Sequence, residues 1–229
     1  MRIVAINGSP KGKTSNTHAM VKAFLKGAQE AGAETANVLL AEKQIEHCKG
    51  CHVCWTKGPG QCVISDDMLQ VLSLLGGADI IIFASPVYFA NISGMLKVFM
   101  DRMTMIGGPQ PVEKPTKERE NTDAPGVQVP KLMMLSSCGH PTASEFDVTS
   151  LWIHRVAQKM HMELIGEIYA AQGKFLTAPP ELLQPVISDY LQLLEKAGKD
   201  IATDKKLSVT TEKLLEQAKD GFDSAARGI

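Results

Sequence analysis

Four cysteines follow one another as Cys48-x2-Cys51-x2-Cys54-x7-Cys62 in a chain with five cysteines in all. Two-residue gaps let three thiolates converge on one cubane cluster, and a fourth closes it from a few residues further on. Four thiols also suit zinc, although structural zinc sites usually pair two C-x2-C knuckles across a long spacer. Unligated cysteines are a third reading. About forty residues earlier stands a second chemical signal, Asn7-Gly8-Ser9-Pro10-Lys11-Gly12-Lys13-Thr14-Ser15-Asn16-Thr17. A strand that ends in Gly-Ser-Pro and re-enters a helix at Ser-Asn-Thr offers backbone N–H groups and hydroxyls to an anion.

Two commoner nucleotide motifs fail on this loop. Gly8-x3-Gly12-Lys13-Thr14 is one residue short of the Walker spacing, and no Gly-x-Gly-x-x-Gly follows any strand. A loop rich in Ser, Thr and Asn suits a compact monophosphate dianion, and FMN fits that description. The simpler alternative is a turn followed by a helix cap.

The elements that must position these residues read from periodicity. Arg2 to Ile6 is a short apolar strand, and Met20, Val21, Phe24, Leu25 and Ala28 share one helical face after Ser15. Thr35–Leu40 reads as a second strand. Asp79–Ala84 is a continuous apolar run of the kind a doubly covered parallel strand shows. Lys131–Leu135 and Leu164–Tyr169 supply the fourth and fifth. Ser65-Asp66-Asp67 reads as a helix start before Met68–Leu75, Ser93 as the cap of a helix over Gly94–Ile106, and Ser144-x-x-Asp147 as a capping box for a helix reaching Met160. The alternation predicts an α/β, flavodoxin-like three-layer sandwich with a five-stranded parallel sheet in the order 2-1-3-4-5.

Two further loops fall at strand carboxyl ends, where such sheets bind ligands. Ser85-Pro86-Val87-Tyr88-Phe89-Ala90-Asn91 offers aromatic rings and backbone N–H groups to a flavin. Ser136-Ser137-Cys138-Gly139-His140-Pro141 is small and polar, suited to a third loop, with Cys138 or His140 available to tune a ring or move a proton. An ordinary core aromatic pair and a packing cysteine are the bland alternatives.

Residues 1–178 are expected to form the FMN-binding domain, including the cysteine loop 48–62 and a proline-rich, charged surface loop over 107–130. Residues 179–229 are expected to extend it with two amphipathic helices, one carrying Leu183, Ile187, Leu191 and Leu194 and the other Leu214, Leu215, Ala218 and Phe222.

The whole chain has 229 residues, 44% hydrophobic and 21% charged, with a net charge of −1. That charge gives no reason to expect nucleic acid or an anionic membrane as partner. No apolar run nears the roughly 18 residues of a spanning helix. The first apolar run reaches a polar loop after four residues, too soon for an export signal, so a cytoplasmic location with reduced thiols is expected.

Gly8-Ser9-Pro10-x4-Ser15 continuing into Asn16-Thr17, the compact cysteines with Cys62-Val63-Ile64-Ser65-Asp66-Asp67-Met68, and Ser85-Pro86-Val87-Tyr88 with Gly94-x2-Lys97-x3-Asp101-Arg102 together resemble the iron-sulfur flavoprotein family, within the NAD(P)H-dependent FMN reductase superfamily. The resemblance runs over residues 1 to about 170 in order. It implies FMN held by Ser9, Lys11, Ser15, Asn16, Thr17 and the loop from Pro86 to Phe89; the two strand-end loops add Asn91, Ser137, Cys138 and Gly139 to the expected cofactor-binding residues. It also implies a 4Fe-4S cluster on Cys48, Cys51, Cys54 and Cys62, and a homodimer or homotetramer in which one subunit's cluster faces another's flavin. The last cysteine gap, seven residues, is longer than in the best-known members. The implied activity is electron transfer between a donor, NAD(P)H or ferredoxin, and a small-molecule acceptor such as a quinone or an oxygen species. Alternatives are an FMN or quinone reductase without a cluster, and a zinc-stabilised flavodoxin-like binding module.

Overall fold

Every residue from Ile3 to Ile6 in the first strand is fully buried, so this strand must be covered on both faces. Side chains alternate across a strand. Ile3 and Ala5 accordingly join one apolar cluster, and Val4 and Ile6 the other. The computed structural model, which describes residues 1–58, 60–107 and 129–216, shows the same division in the other central strands.

The strands are β1 (Arg2–Asn7), β2 (Glu34–Leu39), β3 (Ile80–Tyr88), β4 (Asn91–Ile92), β5 (Lys131–Ser137) and β6 (Leu164–Ala170). Five of them form a parallel sheet in the order β2-β1-β3-β5-β6. Leaving aside the two-residue β4, which pairs antiparallel with the end of β3, this is the expected 2-1-3-4-5 order. On one face lie α1 (Asn16–Glu30) and α6 (Gln184–Asp204). On the other lie α3 (Met68–Leu75), α4 (Gly94–Arg102) and α5 (Asp147–Met160). A short α2 (Val53–Lys57) belongs to the cysteine loop.

Four expectations need correction. β3 runs on through Ser85–Tyr88, and β5 through Ser136 and Ser137, so residues assigned to loops are strand ends. The helix after Ser93 stops at Arg102 and tightens into a 3-10 turn over Met103–Ile106. Ser144 caps nothing, because Ala143–Phe146 is itself a 3-10 turn leading into α5. Asp67 precedes α3 without a side-chain cap, and Asp66 accepts the Met68 amide instead, at 3.1 Å.

The C-terminal segment is integral to the described fold. Leu183, Ile187 and Leu194 are buried against the α1 face, with Leu191 partly buried. The chain is helical again over 209–216, where Leu215 packs on the same core and Leu214 is exposed. Ala218, Phe222 and nearly all of the 107–130 loop lie outside the described residues.

α6 crosses α1 at backbone contact. A Cβ on Gly27 would sit 1.8 Å from the Glu195 carbonyl oxygen, and one on Gly198 1.9 Å from that of Phe24. Exposed Lys26–Glu195 and Lys199–Glu30 pairs flank the crossing, each at 2.7 Å, and add little beside it. Gly198→Ala must push the helices apart and is expected to destabilise the chain by at least the ~1–3 kcal/mol typical of overpacking. The urea unfolding midpoint reads this, and an unchanged midpoint would refute the close crossing.

Candidate functional site

β1 and β3 are neighbours whose connections leave in opposite directions, so their carboxyl ends form the crevice where doubly wound sheets bind ligands. The Gly8 amide donates to the Ala84 carbonyl at 2.8 Å and ties the first loop to the β3 end. Ser93 Oγ donates to the Gly8 carbonyl at 2.6 Å and accepts the Leu96 amide, while the Ser93 amide donates to Ser85 Oγ at 2.8 Å. A Cβ on Gly8 would lie 2.6 Å from that of Leu96, so only glycine lets α4 approach the loop this closely.

Within the loop, Ser9 and Ser15 are buried and Lys11 is exposed. Ser15 Oγ donates its single proton to the Gly12 carbonyl at 2.8 Å and accepts the His18 amide at 3.0 Å. It builds the turn and caps α1, leaving the first-turn amides of Asn16 and Thr17 without a partner inside the helix. Asn16 Oδ1 accepts the Thr177 hydroxyl at 2.7 Å. Thr17 Oγ1 lies 3.1 Å from Ser137 Oγ and joins this loop to the β5 end. Burial, reinforced by Lys22 and then Lys13, pushes His18 below its ordinary pKa, so at neutral pH its ring is uncharged.

Asn7 heads the loop signal in the sequence, where nothing assigns it a role of its own. Its Oδ1 accepts the Ser9 amide at 3.1 Å, while its fully buried Nδ2 has no partner among the described residues. A buried amide donor left unmet at the head of a loop that ends in a helix N-terminus fits an anionic ligand. The signal available was an amide ending an otherwise apolar strand at a glycine turn.

The second loop is a hairpin. Val87 pairs with Ile92 and Tyr88 with Asn91, across Phe89 and Ala90, both with left-handed backbone (φ 47° and 63°). Phe89 at its tip is fully exposed and Tyr88 partly so, whereas Pro86 is buried and Val87 half-buried. Asn91 Oδ1 accepts the Ile92 amide at 2.8 Å. At the third loop Cys138 is buried with Phe146 and Ala171, and its Sγ donates to the His140 carbonyl at 3.1 Å. That is a packing environment, and Gly139 beside it is exposed.

All four motif cysteines line one cavity between the 48–64 segment and the end of α4, together with His52, Arg102, Thr104 and Met105. Cys48 and Cys51 are exposed, Cys62 is half-buried and Cys54 is buried in α2. Left-handed backbone at Gly50 (φ 62°) and His52 (φ 53°) curls the segment around the cavity. The Gly50 and Ile64 amides donate to Cys48 Sγ and Cys62 Sγ, each at 3.5 Å. Trp55 Nε1 donates to the Thr104 carbonyl at 3.0 Å and the Gly60 amide to that of Met105 at 2.9 Å, fastening the loop to the 3-10 turn after α4. Four thiols with amide donors to sulfur fit an iron-sulfur centre. Among the described residues no three metal-ligating side chains stand already closed on a common point, so holding such a centre would require the thiols to draw inward.

The stems of this loop rest on a buried ion pair missed in the sequence. Arg102 binds Asp66 through both terminal nitrogens, and its Nη1 also donates to the Glu46 carbonyl at 2.9 Å. Asp66 accepts the Glu46 amide at 2.8 Å, and Asp67 the Gln44 amide at 2.8 Å. Burial alone would raise the Asp66 carboxyl, but Arg102 and the Glu46 and Met68 amides outweigh it and hold it below its ordinary value. Burial likewise opposes the charge on Arg102, and Asp66, joined by Cys62, more than restores it.

The fold and its switch-point loop define a flavodoxin-like α/β protein. The chain belongs to the NADPH-dependent FMN reductase family, which matches residues 1–127. An iron-sulfur flavoprotein of Archaeoglobus fulgidus is 40% identical over 107 residues, 47% of each chain. One of Methanocaldococcus jannaschii is 41% identical over 102 residues, 44% of this chain and 51% of the relative. This chain thus matches about half the length of these curated relatives. One from Clostridioides difficile is 25% identical over 194 residues, 82% of this chain and 83% of the relative. Among solved structures, an NAD(P)H:quinone oxidoreductase from Methanothermobacter marburgensis superimposes with a TM-score of 0.61 at 16% identity, over 88% of this chain and 96% of that one. An FMN-dependent NADH-azoreductase from Bacillus anthracis gives 0.59 at 16% identity, over 88% and 99%. At that identity the likeness is one of fold. No helix among the described residues is long and apolar enough to cross a membrane.

Proposed function

We propose that this chain is an electron-transfer oxidoreductase that binds FMN at the β1–α1 switch point and an iron-sulfur centre on Cys48, Cys51, Cys54 and Cys62. The observation that carries the reading is the gathering of all four motif cysteines around one cavity, in a chain whose first loop begins at the unmet Asn7 amide and ends at a helix N-terminus. Bound FMN would supply chemistry in one- or two-electron steps, and a 4Fe-4S centre in one-electron steps.

The chain's own part is binding and positioning. The amides of Asn16 and Thr17 and the buried Asn7 amide face the demand of a phosphate, with Ser9, Lys11 and Ser15 shaping the loop. Pro86 to Phe89, Asn91, Ser137, Cys138 and Gly139 border the same crevice, where the hairpin's rings offer a wall to an aromatic ligand. Residues 1–178 act as the flavin domain, completed by the helices from residue 179 onward.

Nine residues of α4 separate Ser93, which touches the phosphate loop, from the cysteine cavity at Arg102. At the α-helical rise that is about 13 Å. On this reading a dimer or tetramer is expected, in which the cysteine centre of one subunit meets the flavin of another. NAD(P)H or ferredoxin would donate, and a quinone or an oxygen species would accept. Protein purified anaerobically is expected to show flavin absorbance above a broad iron-sulfur shoulder, with about four irons and four sulfides per chain. Flavin without iron would leave an FMN or quinone reductase, and stoichiometric zinc without flavin would leave a binding module.

A further inference from the structure

The buried pair beneath the cysteine loop has more capacity than its structural bonds use. Arg102 and Asp66 have side chains only 1% and 4% exposed. Both terminal nitrogens of the guanidinium are engaged, on Asp66 and the Glu46 carbonyl. Its Nε–H is buried and has no hydrogen-bond partner of ordinary geometry among the described residues. Arg102 also lines the cavity that the four cysteines share.

Stability alone is a weak reason to bury such a pair, since apolar residues of similar volume often serve as well. A guanidinium cannot lose its proton under working conditions, so whatever stands in the cavity meets a permanent donor and a permanent positive charge. Beside it the lining carries the sulfurs of Cys48, Cys51, Cys54 and Cys62. Arg102 touches both ends of the loop at once, through Glu46, two residues before Cys48, and Asp66, four after Cys62.

We propose that Arg102, held in orientation by Asp66, is a positioning residue for the cysteine centre: its Nε–H donates to a sulfur of that centre, and its charge sets the centre's reduction potential. The inference rests on the reading of Cys48, Cys51, Cys54 and Cys62 as iron-sulfur ligands. Donors to sulfur and nearby charge are recognised determinants of cluster potential. Asp66 fixes the rotamer and partly offsets the charge, so the two residues act on the potential with opposite sign.

The test uses the full chain, loaded anaerobically with ferrous iron and sulfide, with iron, sulfide and FMN counted before potentiometric titration of the cluster. R102Q, which removes the positive charge and leaves Asp66 negative, is expected to move the cluster midpoint to more negative potential. D66N, which leaves Arg102 uncompensated, is expected to move it to more positive potential, with the double variant between them. A purely structural pair would lower cluster content in both variants without opposite shifts. Shifts of one sign, or none, in variants that keep their iron and sulfide overturn the proposal. Should R102Q fail to fold, D66N still decides the sign. Wild-type protein grown with 15N-arginine must also show 15N coupling to the reduced cluster, and its absence removes the hydrogen bond. Wild-type protein that takes up no iron and sulfide instead refutes the cluster reading itself.

Discussion

Cys51→Ser is expected to abolish iron and sulfide binding while FMN stays at the wild-type stoichiometry. Cys51 is exposed, so serine there removes a soft thiolate without opening a cavity in the core. Cys54 is the poorer probe, because it is buried among the apolar residues packed under α3 and α4, where a hydroxyl carries its own desolvation cost. The flavin site should not feel the change. α4 separates the two sites by about 13 Å of helix, and none of the loop's anchors, Trp55 to Thr104, Gly60 to Met105 and Asp66 to Arg102, involves the phosphate loop. Metal analysis and flavin absorbance on one anaerobic sample read both halves of this expectation. Full iron and sulfide in the variant would remove Cys51 from the ligand set, and joint loss of iron and FMN would mean that the two sites fold as one.

What was legible in the sequence follows from how local its physical cause is. The apolar runs of β1 and β3 announce strands covered on both faces, because nothing else buries consecutive Ile, Val and Phe residues in so short a stretch. The Ser15 cap was legible because its hydroxyl meets an amide three residues away. The β3–β4 hairpin was not. Two-residue turns with left-handed backbone usually announce themselves with Asn-Gly, and here Phe89 and Ala90 occupy both positions. Holding non-glycine residues there costs of order 1–3 kcal/mol each, which Tyr88–Asn91 pairing and the α4 start must offset.

The Asp66–Arg102 pair was hidden for a related reason. An aspartate before a helix reads as a helix start, and an arginine at a helix C-terminus reads as a dipole partner facing solvent. Only the fold, which brings residues thirty-six apart together under the cysteine loop, shows that both are buried and bound to each other. The cysteine spacing lies between these cases. Its shared cavity was implied by the gaps, but the anchors that place it at the end of α4 come from Thr104 and Met105, which carry no local signal.

Asn16→Asp is expected to make the flavin-free protein slightly more stable and yet to weaken FMN binding by at least about tenfold, or ~1.4 kcal/mol. The two effects share one cause. A carboxylate in the first turn of α1 complements the helix dipole, a gain of ~0.3–1 kcal/mol. It can also still accept the Thr177 hydroxyl that Asn16 Oδ1 accepts at 2.7 Å. A phosphate dianion at the Asn16 and Thr17 amides would then face a like charge within a few ångströms, where unit charges interact by ~4 kcal/mol at 4 Å near a protein surface. Ser15→Ala makes the complementary change. It removes the hydroxyl that closes the turn on Gly12 and caps α1, so both stability, by ~1 kcal/mol, and FMN affinity should fall together. Thermal unfolding of the flavin-free protein and fluorescence titration with FMN separate the pair. If Asn16→Asp binds FMN as tightly as the wild type, the phosphate lies elsewhere than at the start of α1.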